Sequence, residues 1–132
     1  MAASGFPALV LEEHDGKVSS EVRTLDEAAL PAGEVLVRVA YSDLNYKDGM
    51  VVKGLGKLVR TYPHVPGIDF SGVVEQSASP MFKPGDAVIL TGWRVGEMHW
   101  GGYAGKARVK ADWLVPPPAG VRVVRVETAR EM

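Results

Sequence analysis

Apolar residues occur along this chain in short, valine-rich runs separated by glycine and proline, a pattern of many short strands joined by turns. Residues 34–41 carry it most clearly. Val35, Val37 and Val39 alternate with Leu36, Arg38 and Ala40, the period of two expected of a strand with one face on a core. Residues 8–12 and 18–24 read as two strands joined at Asp15-Gly16, a hairpin turn pair. Further strands are expected at 69–76, 87–91, 104–110 and 113–115, the last stopped by Pro116-Pro117-Pro118. Residues 42–52 break the pattern. Ser42 or Asp43 is placed to cap a short helix carrying Leu44, Tyr46, Lys47 and Asp48, which Gly49 and Gly54 keep short. Residues 53–62 read as a basic loop, and residues 92–102 as a loop rich in glycine and tryptophan.

These elements sum to a mainly β fold, an all-β barrel with one or two short helices, because closing a barrel disposes of exposed sheet edges. The chain has 132 residues, enough for one domain with a real core. Its net charge of −1 gives no electrostatic case for nucleic-acid or membrane-surface partners. It has no cysteine, which removes disulfides and thiolate metal sites and fits a cytoplasmic setting. No segment approaches the roughly 20 apolar residues of a membrane span, and residues 1–7 lack the basic-then-apolar order of a secretory signal.

Four segments, in order, resemble one family. Leu44-Asn45-Tyr46-Lys47-Asp48 is similar to the helix start of the zinc-free, quinone-oxidoreductase-like branch of the medium-chain dehydrogenase/reductase superfamily. Pro63-His64-Val65-Pro66-Gly67-Ile68-Asp69-Phe70-Ser71-Gly72 resembles its strand entry, and Gly85-Asp86-Ala87-Val88 its Gly-Asp turn. Thr91-Gly92-Trp93 with Gly96-Glu97-Met98-His99-Trp100-Gly101-Gly102 is similar to the acryloyl-CoA reductase subgroup. The resemblance, over about residues 8–120, implies a GroES-like, partly open β-barrel that forms the substrate side of a two-domain enzyme. It implies hydride transfer from NADP(H) to the activated double bond of an acryloyl-CoA-like thioester or a quinone.

Two features of that superfamily are missing. Where its zinc enzymes carry Gly-His-Glu, this chain has Gly67-Ile68-Asp69, and Ile68 cannot bind a metal. His14, His64 and His99 have no ligand spacing, so no metal site of the family kind is expected. No Gly-x-Gly-x-x-Gly follows a strand and opens a helix, so a Rossmann domain is not expected within the chain, which alone should not bind NADP(H) tightly. The domain is expected over 1–120. The tail 121–132 departs from the family: Val121 to Val126 reads as a strand, and the tail is either a truncation with Thr128 to Glu131 as the remnant of a helix start, or an engineered deletion in which Val121 to Val126 is an added barrel strand.

The resemblance makes Asn45 and Tyr46 catalytic candidates. They would orient nicotinamide and the thioester carbonyl, with donors set where enolate charge builds and Tyr46 as a proton source. With Lys47 they form the candidate cofactor contact, while the plain alternative packs the Tyr46 ring in the core. Arg60, His99 and Trp100 are candidate substrate contacts. Arg60, with Lys57, would suit CoA phosphates or else simply be a solvated basic loop, and His99 would reach a substrate carbonyl or a loop carbonyl. Trp93 is expected to bury its ring. Asp48, paired with Lys47, and Asp69, bonded to Arg60 or a backbone amide, are expected as structural supports. Convergence of Asn45-Tyr46 and the loop that carries His99-Trp100 on one side of the fold is the geometric expectation on which the reductase reading hangs; the two segments on opposite faces would end it. Partners implied are a CoA thioester or quinone, a Rossmann domain in cis or in trans, and further copies of the chain. The alternatives are a non-catalytic binding or oligomerisation module and, far behind, a co-chaperonin, for which no mobile loop or roof hairpin is present.

Overall fold

The computed structural model describes residues 5–121. Its elements are β1 (Phe6–His14), β2 (Lys17–Leu25), β3 (Val35–Ser42), α1 (Tyr46–Lys53), β4 (Asp69–Ser77), β5 (Ala87–Thr91), β6 (Lys106–Val109) and β7 (Leu114–Val115), with 3-10 turns at Glu27–Ala29 and Ala111–Trp113. The expected strands are present within a few residues of their expected ends, and the strand and helix proposed for the tail lie outside the described residues.

β1 and β2 form an antiparallel hairpin closed by His14 opposite Lys17. Asp15 and Gly16 both take positive φ, 53° and 80°, the twist that a two-residue turn needs to match its strands. The other strands form an antiparallel sheet in the order β6-β3-β4-β5-β7. The two sheets do not close into a continuous barrel. They meet through isolated bridges, Ala8 with Ala104 and Leu11 with His64, so the architecture is open where full closure was one expectation.

The core lies on both sides of β3. Val35 and Val37 join Phe70, Val74, Val88 and Leu90 in the largest cluster. Leu36 points the other way, into a second cluster with Phe6, Ala8, Val10 and Val65 under the hairpin. The first half of β3 is therefore buried on both faces, and simple alternation appears only where Arg38 reaches solvent. A third cluster, Leu11, Val51 and Val59, seats α1.

Two features fix the register. Glu27 and Glu75 both hold the Lys106 ammonium, at 2.6 and 2.9 Å, tying a 3-10 turn to β4 and β6. Gly72 lies so close to β3 that a β-carbon there would stand 2.1 Å from the Arg38 carbonyl oxygen. The obstacle is backbone and cannot swing aside, so Gly72→Ala should force β3 and β4 apart. Such overpacking costs about 1–3 kcal/mol or more, and chemical denaturation of Gly72→Ala should show a loss of at least that size.

Candidate active site

The helix start is where the sequence concentrates chemistry, and one buried carboxylate shapes it. The cap of α1 is Asn45, in extended conformation, not Ser42 or Asp43. The reason is Asp48. Its side chain is fully buried and accepts the Asn45 amide at 2.9 Å and the Ile68 amide at 3.0 Å. A carboxylate in the first turn also complements the helix dipole. Asp48 thus locks the helix to the entry of β4, and it does not pair with Lys47. Lys47 instead reaches Glu97, 3.2 Å away.

The Asn45 side chain donates to Asp43 at 2.8 Å and to Asp69 at 3.1 Å. Both amide hydrogens are used, so Asn45 can donate to a ligand only by giving up one of these bonds. Asp69, expected to meet Arg60 or a backbone amide, takes Asn45 and the Gly92 amide. Burial raises its carboxyl above the ordinary range, and the charges of Asp43 and Asp48 push the same way against these bonds. The Tyr103 phenol donates to the Asp43 carbonyl at 2.8 Å. Burial and the negative charge of Asp48 drive its pKa up to about 12, so it keeps its proton at neutral pH. Tyr103 and Asp43 belong to this network and were not expected there. The only sequence cue for Tyr103 is its place just after Gly101-Gly102, the pair that in the structure lets the chain run against residues 65–67.

Above the network the surface is apolar and open. Tyr46 is 86% exposed and Leu44 81%, so the Tyr46 ring is not core. Leu44, Asn45, Tyr46, Met50, Lys53 and Leu55 line a groove of about 460 Å³. A second hollow, about 280 Å³, lies between β3, β4 and β5 and is lined by Ser42, Asp43, Asp69, Phe70 and Leu90.

The other candidates are placed differently. His99 turns inward: its Nε2 bonds the Arg108 carbonyl at 2.7 Å and its ring stands edge-on to Trp113. The Trp100 indole donates to the Pro63 carbonyl at 3.1 Å and packs on the second cluster. Neither lines the groove with Asn45 and Tyr46. The loop does meet the helix start, but through Glu97, which is 7% exposed and sits between Lys47 and Arg94. Arg60 is exposed and, among the described residues, in no ion pair. Trp93, expected to be buried, is 59% exposed, and its backbone is left-handed, with φ 58°. Such a backbone costs a residue with a β-carbon roughly 1–2 kcal/mol. Among the described residues no group of three His, Asp or Glu is set to hold a metal ion, and no helix is long and apolar enough to cross a membrane.

Residues 31–119 match the model of the alcohol dehydrogenase GroES-like domain. The chain belongs to that family. It is 58% identical over 118 residues to the acrylyl-CoA reductase AcuI of Ruegeria pomeroyi, an alignment covering 88% of this chain and 36% of that protein. It superposes on the YhdH oxidoreductase of Salmonella enterica in complex with NADP with a TM-score of 0.86 and 53% identity, covering 90% of this chain and 37% of that one. The Escherichia coli K-12 YhdH with bound NADPH gives 0.85 and 53%, covering 89% and 36%. The chain thus spans about a third of the length of the relatives it matches, and what it shares with them is the GroES-like portion.

The network also predicts a pH response. His64 is 2% exposed, with Nε2 on the Gly96 carbonyl at 2.7 Å. Burial lowers the pKa of His64 and of His99 below the ordinary 6.5, outweighing their carbonyl bonds. Below pH 6.5 the unfolded chain then binds more protons than the folded one, so the contribution present above that value is lost as pH falls through the folded pKa values. Asp69, with a raised pKa, works in the opposite sense in the lower carboxylate range. The urea midpoint should be lower at pH 5 than at pH 7.5. His64→Gln, which keeps a donor for Gly96 without a titrating ring, should flatten that difference.

Proposed function

We propose that this chain is the substrate side of an NADPH-dependent reductase that adds hydride to the activated double bond of a CoA thioester such as acryloyl-CoA. The observation that carries the reading is the exposed Tyr46 phenol, set by the buried Asp48 at the rim of an open groove. The fit to the cofactor is partial. The apolar groove beside Asn45 and Tyr46 suits the nicotinamide end. The neighbouring hollow, with Asp43 and Asp69 in its wall, offers a pyrophosphate no cation and would repel it. The described residues thus fit one end of NADPH, and a nucleotide-binding domain in cis or in trans supplies the rest. The chain alone turns over no substrate.

In this reading the chemistry the cofactor supplies when bound is hydride donation. The chain's own residues do the remainder. Tyr46 and Lys53 carry the free donors at the groove, and Tyr46 is the one beside the cap, because Asn45 spends its amide on Asp43 and Asp69 and Tyr103 spends its hydroxyl on Asp43. The Tyr46 hydroxyl donates to the thioester oxygen as enolate charge builds, and a fixed donor at such a position is worth about 10²–10³ in rate. Asn45, with Lys47, holds the helix start on which Tyr46 and the nicotinamide contact depend. The names of the relatives supply the thioester as substrate class; a quinone is the other acceptor this groove would take.

The test joins residues 1–120 to the remaining two thirds of the R. pomeroyi relative. The chimera should oxidise NADPH in the presence of acryloyl-CoA, while the 132-residue chain alone should not. Tyr46→Phe in the chimera should lower kcat by about 10²-fold with unchanged circular dichroism, since the ring is exposed. A soluble, NADPH-binding chimera with no acryloyl-CoA activity, or a Tyr46→Phe chimera at full rate, ends this reading.

A second reading, an interaction module, has one observation in its favour: Leu44, Tyr46 and Leu55 expose an apolar surface, which invites association. Light scattering on the chain at high concentration should show self-association that Leu44→Asp weakens. A monomer at every concentration removes this reading.

A further inference from the structure

We propose that Trp93 and Arg94 form the contact for the nucleotide carrier of a coenzyme A thioester, its adenine ring and phosphates, beside the groove that takes the acyl end. The inference rests on the proposed reductase reading and deepens it by naming the residues that select the carrier.

The backbone supplies the first reason. Trp93 and Arg94 are consecutive residues at φ 58° and 59°, between Gly92 at 79° and Gly96 at 86°. Glycine adopts this conformation freely; residues with a β-carbon do not. Held there, the indole is 59% exposed and the Arg94 side chain 63% exposed, whereas Val95 beside them is fully buried. An indole normally contributes its large apolar area to a core. Here local backbone strain is retained and the ring faces water, the kind of outlier that points to a binding role.

The second reason is that the base of this loop is anchored. Val95 is part of the main core. The Gly96 amide donates to the His99 carbonyl at 2.7 Å, and the Gly96 carbonyl receives His64 at 2.7 Å. The Glu97 and Met98 amides both close onto the Arg94 carbonyl, at 3.1 and 2.8 Å. The exposed pair is therefore presented from a fixed turn.

Electrostatics supplies the third. Glu97 is almost fully buried and shared by Lys47 at 3.2 Å and Arg94 at 4.0 Å. At 4.0 Å Glu97 braces Arg94 without covering it, so most of the exposed guanidinium is left free for an anion on the side away from Asp69. Through Glu97 the same brace links Arg94 to Lys47, the neighbour of Tyr46 in the first turn of α1. A flat π surface next to a guanidinium is the chemistry that recognises an aromatic base joined to phosphate: the ring stacks and the guanidinium forks onto phosphate oxygens. Arg60, the earlier candidate for this role, has no comparable brace among the described residues.

The test uses the 132-residue chain labelled with ¹⁵N, in which the indole signals of Trp93, Trp100 and Trp113 are assigned by Trp→Phe substitution. Coenzyme A should shift the Trp93 indole and leave Trp100, bonded to Pro63, and Trp113, packed on His99, in place. Pantetheine, which lacks the nucleotide, should leave Trp93 unshifted. Arg94→Gln should weaken coenzyme A binding by about fivefold, the size of one exposed charge-assisted contact. No Trp93 shift with coenzyme A, or an equal shift with pantetheine, overturns the proposal. Reduced nicotinamide mononucleotide, titrated separately, should shift the Asn45 and Tyr46 amides. Failure there counts against the reductase reading without touching the outcome at Trp93.

Discussion

The candidate site depends on one buried carboxylate. Asp48 receives two backbone amides, one from its own helix cap and one from the entry to β4. A buried charge is tolerated only when its hydrogen-bonding capacity is met, and among the described residues no buried side-chain polar atom lacks a partner. The bond to Ile68 spans twenty residues of sequence. It makes the position of α1 a property of the sheet, so Tyr46 can stand almost wholly in solvent while its backbone stays fixed.

Around that anchor the negative charges are held apart by donors that have no other work. Asn45 lies between Asp43 and Asp69, and the Tyr103 hydroxyl closes the network on the backbone of residue 43. The cost shows in the carboxyl of Asp69, raised by burial and its neighbours, and in the phenol of Tyr103, which cannot ionise in a working pH range. This wall of the site is thus acidic and saturated in hydrogen bonds. Its like charges set it against phosphate and other anions.

Much of the fold was legible in the sequence. Period-two valines, Asp15-Gly16 and Gly85-Asp86 mark strands and turns whose physics is local. The helix cap differs from expectation because Asp43 and Ser42 are good caps in isolation, whereas Asp48, held in place by the long-range Ile68 amide, takes the Asn45 amide and selects Asn45. Side-chain direction was the other failure. His99 and Trp100 look like ligand contacts by residue type and loop position, yet both are satisfied by carbonyls far along the chain, at Arg108 and Pro63. Trp93 was assigned to the core on hydrophobicity alone, because no sequence rule announces a left-handed tryptophan. Nothing in the sequence marks Glu97, since its importance comes from burial between two cations.

The glycines that face residues 66–70 have a mechanical consequence. A β-carbon on Gly101 would stand 2.1 Å from the Gly67 carbonyl oxygen, and one on Gly102 would collide with the Phe70 side chain. Main chain rests on main chain there, joined by amide–carbonyl bonds from Gly101, Gly102 and Tyr103 to Val65, Gly67 and Pro66. The segment rich in glycine is therefore welded where its composition suggests a hinge. Any swing of the loop about Gly101 and Gly102 would first have to break those three bonds.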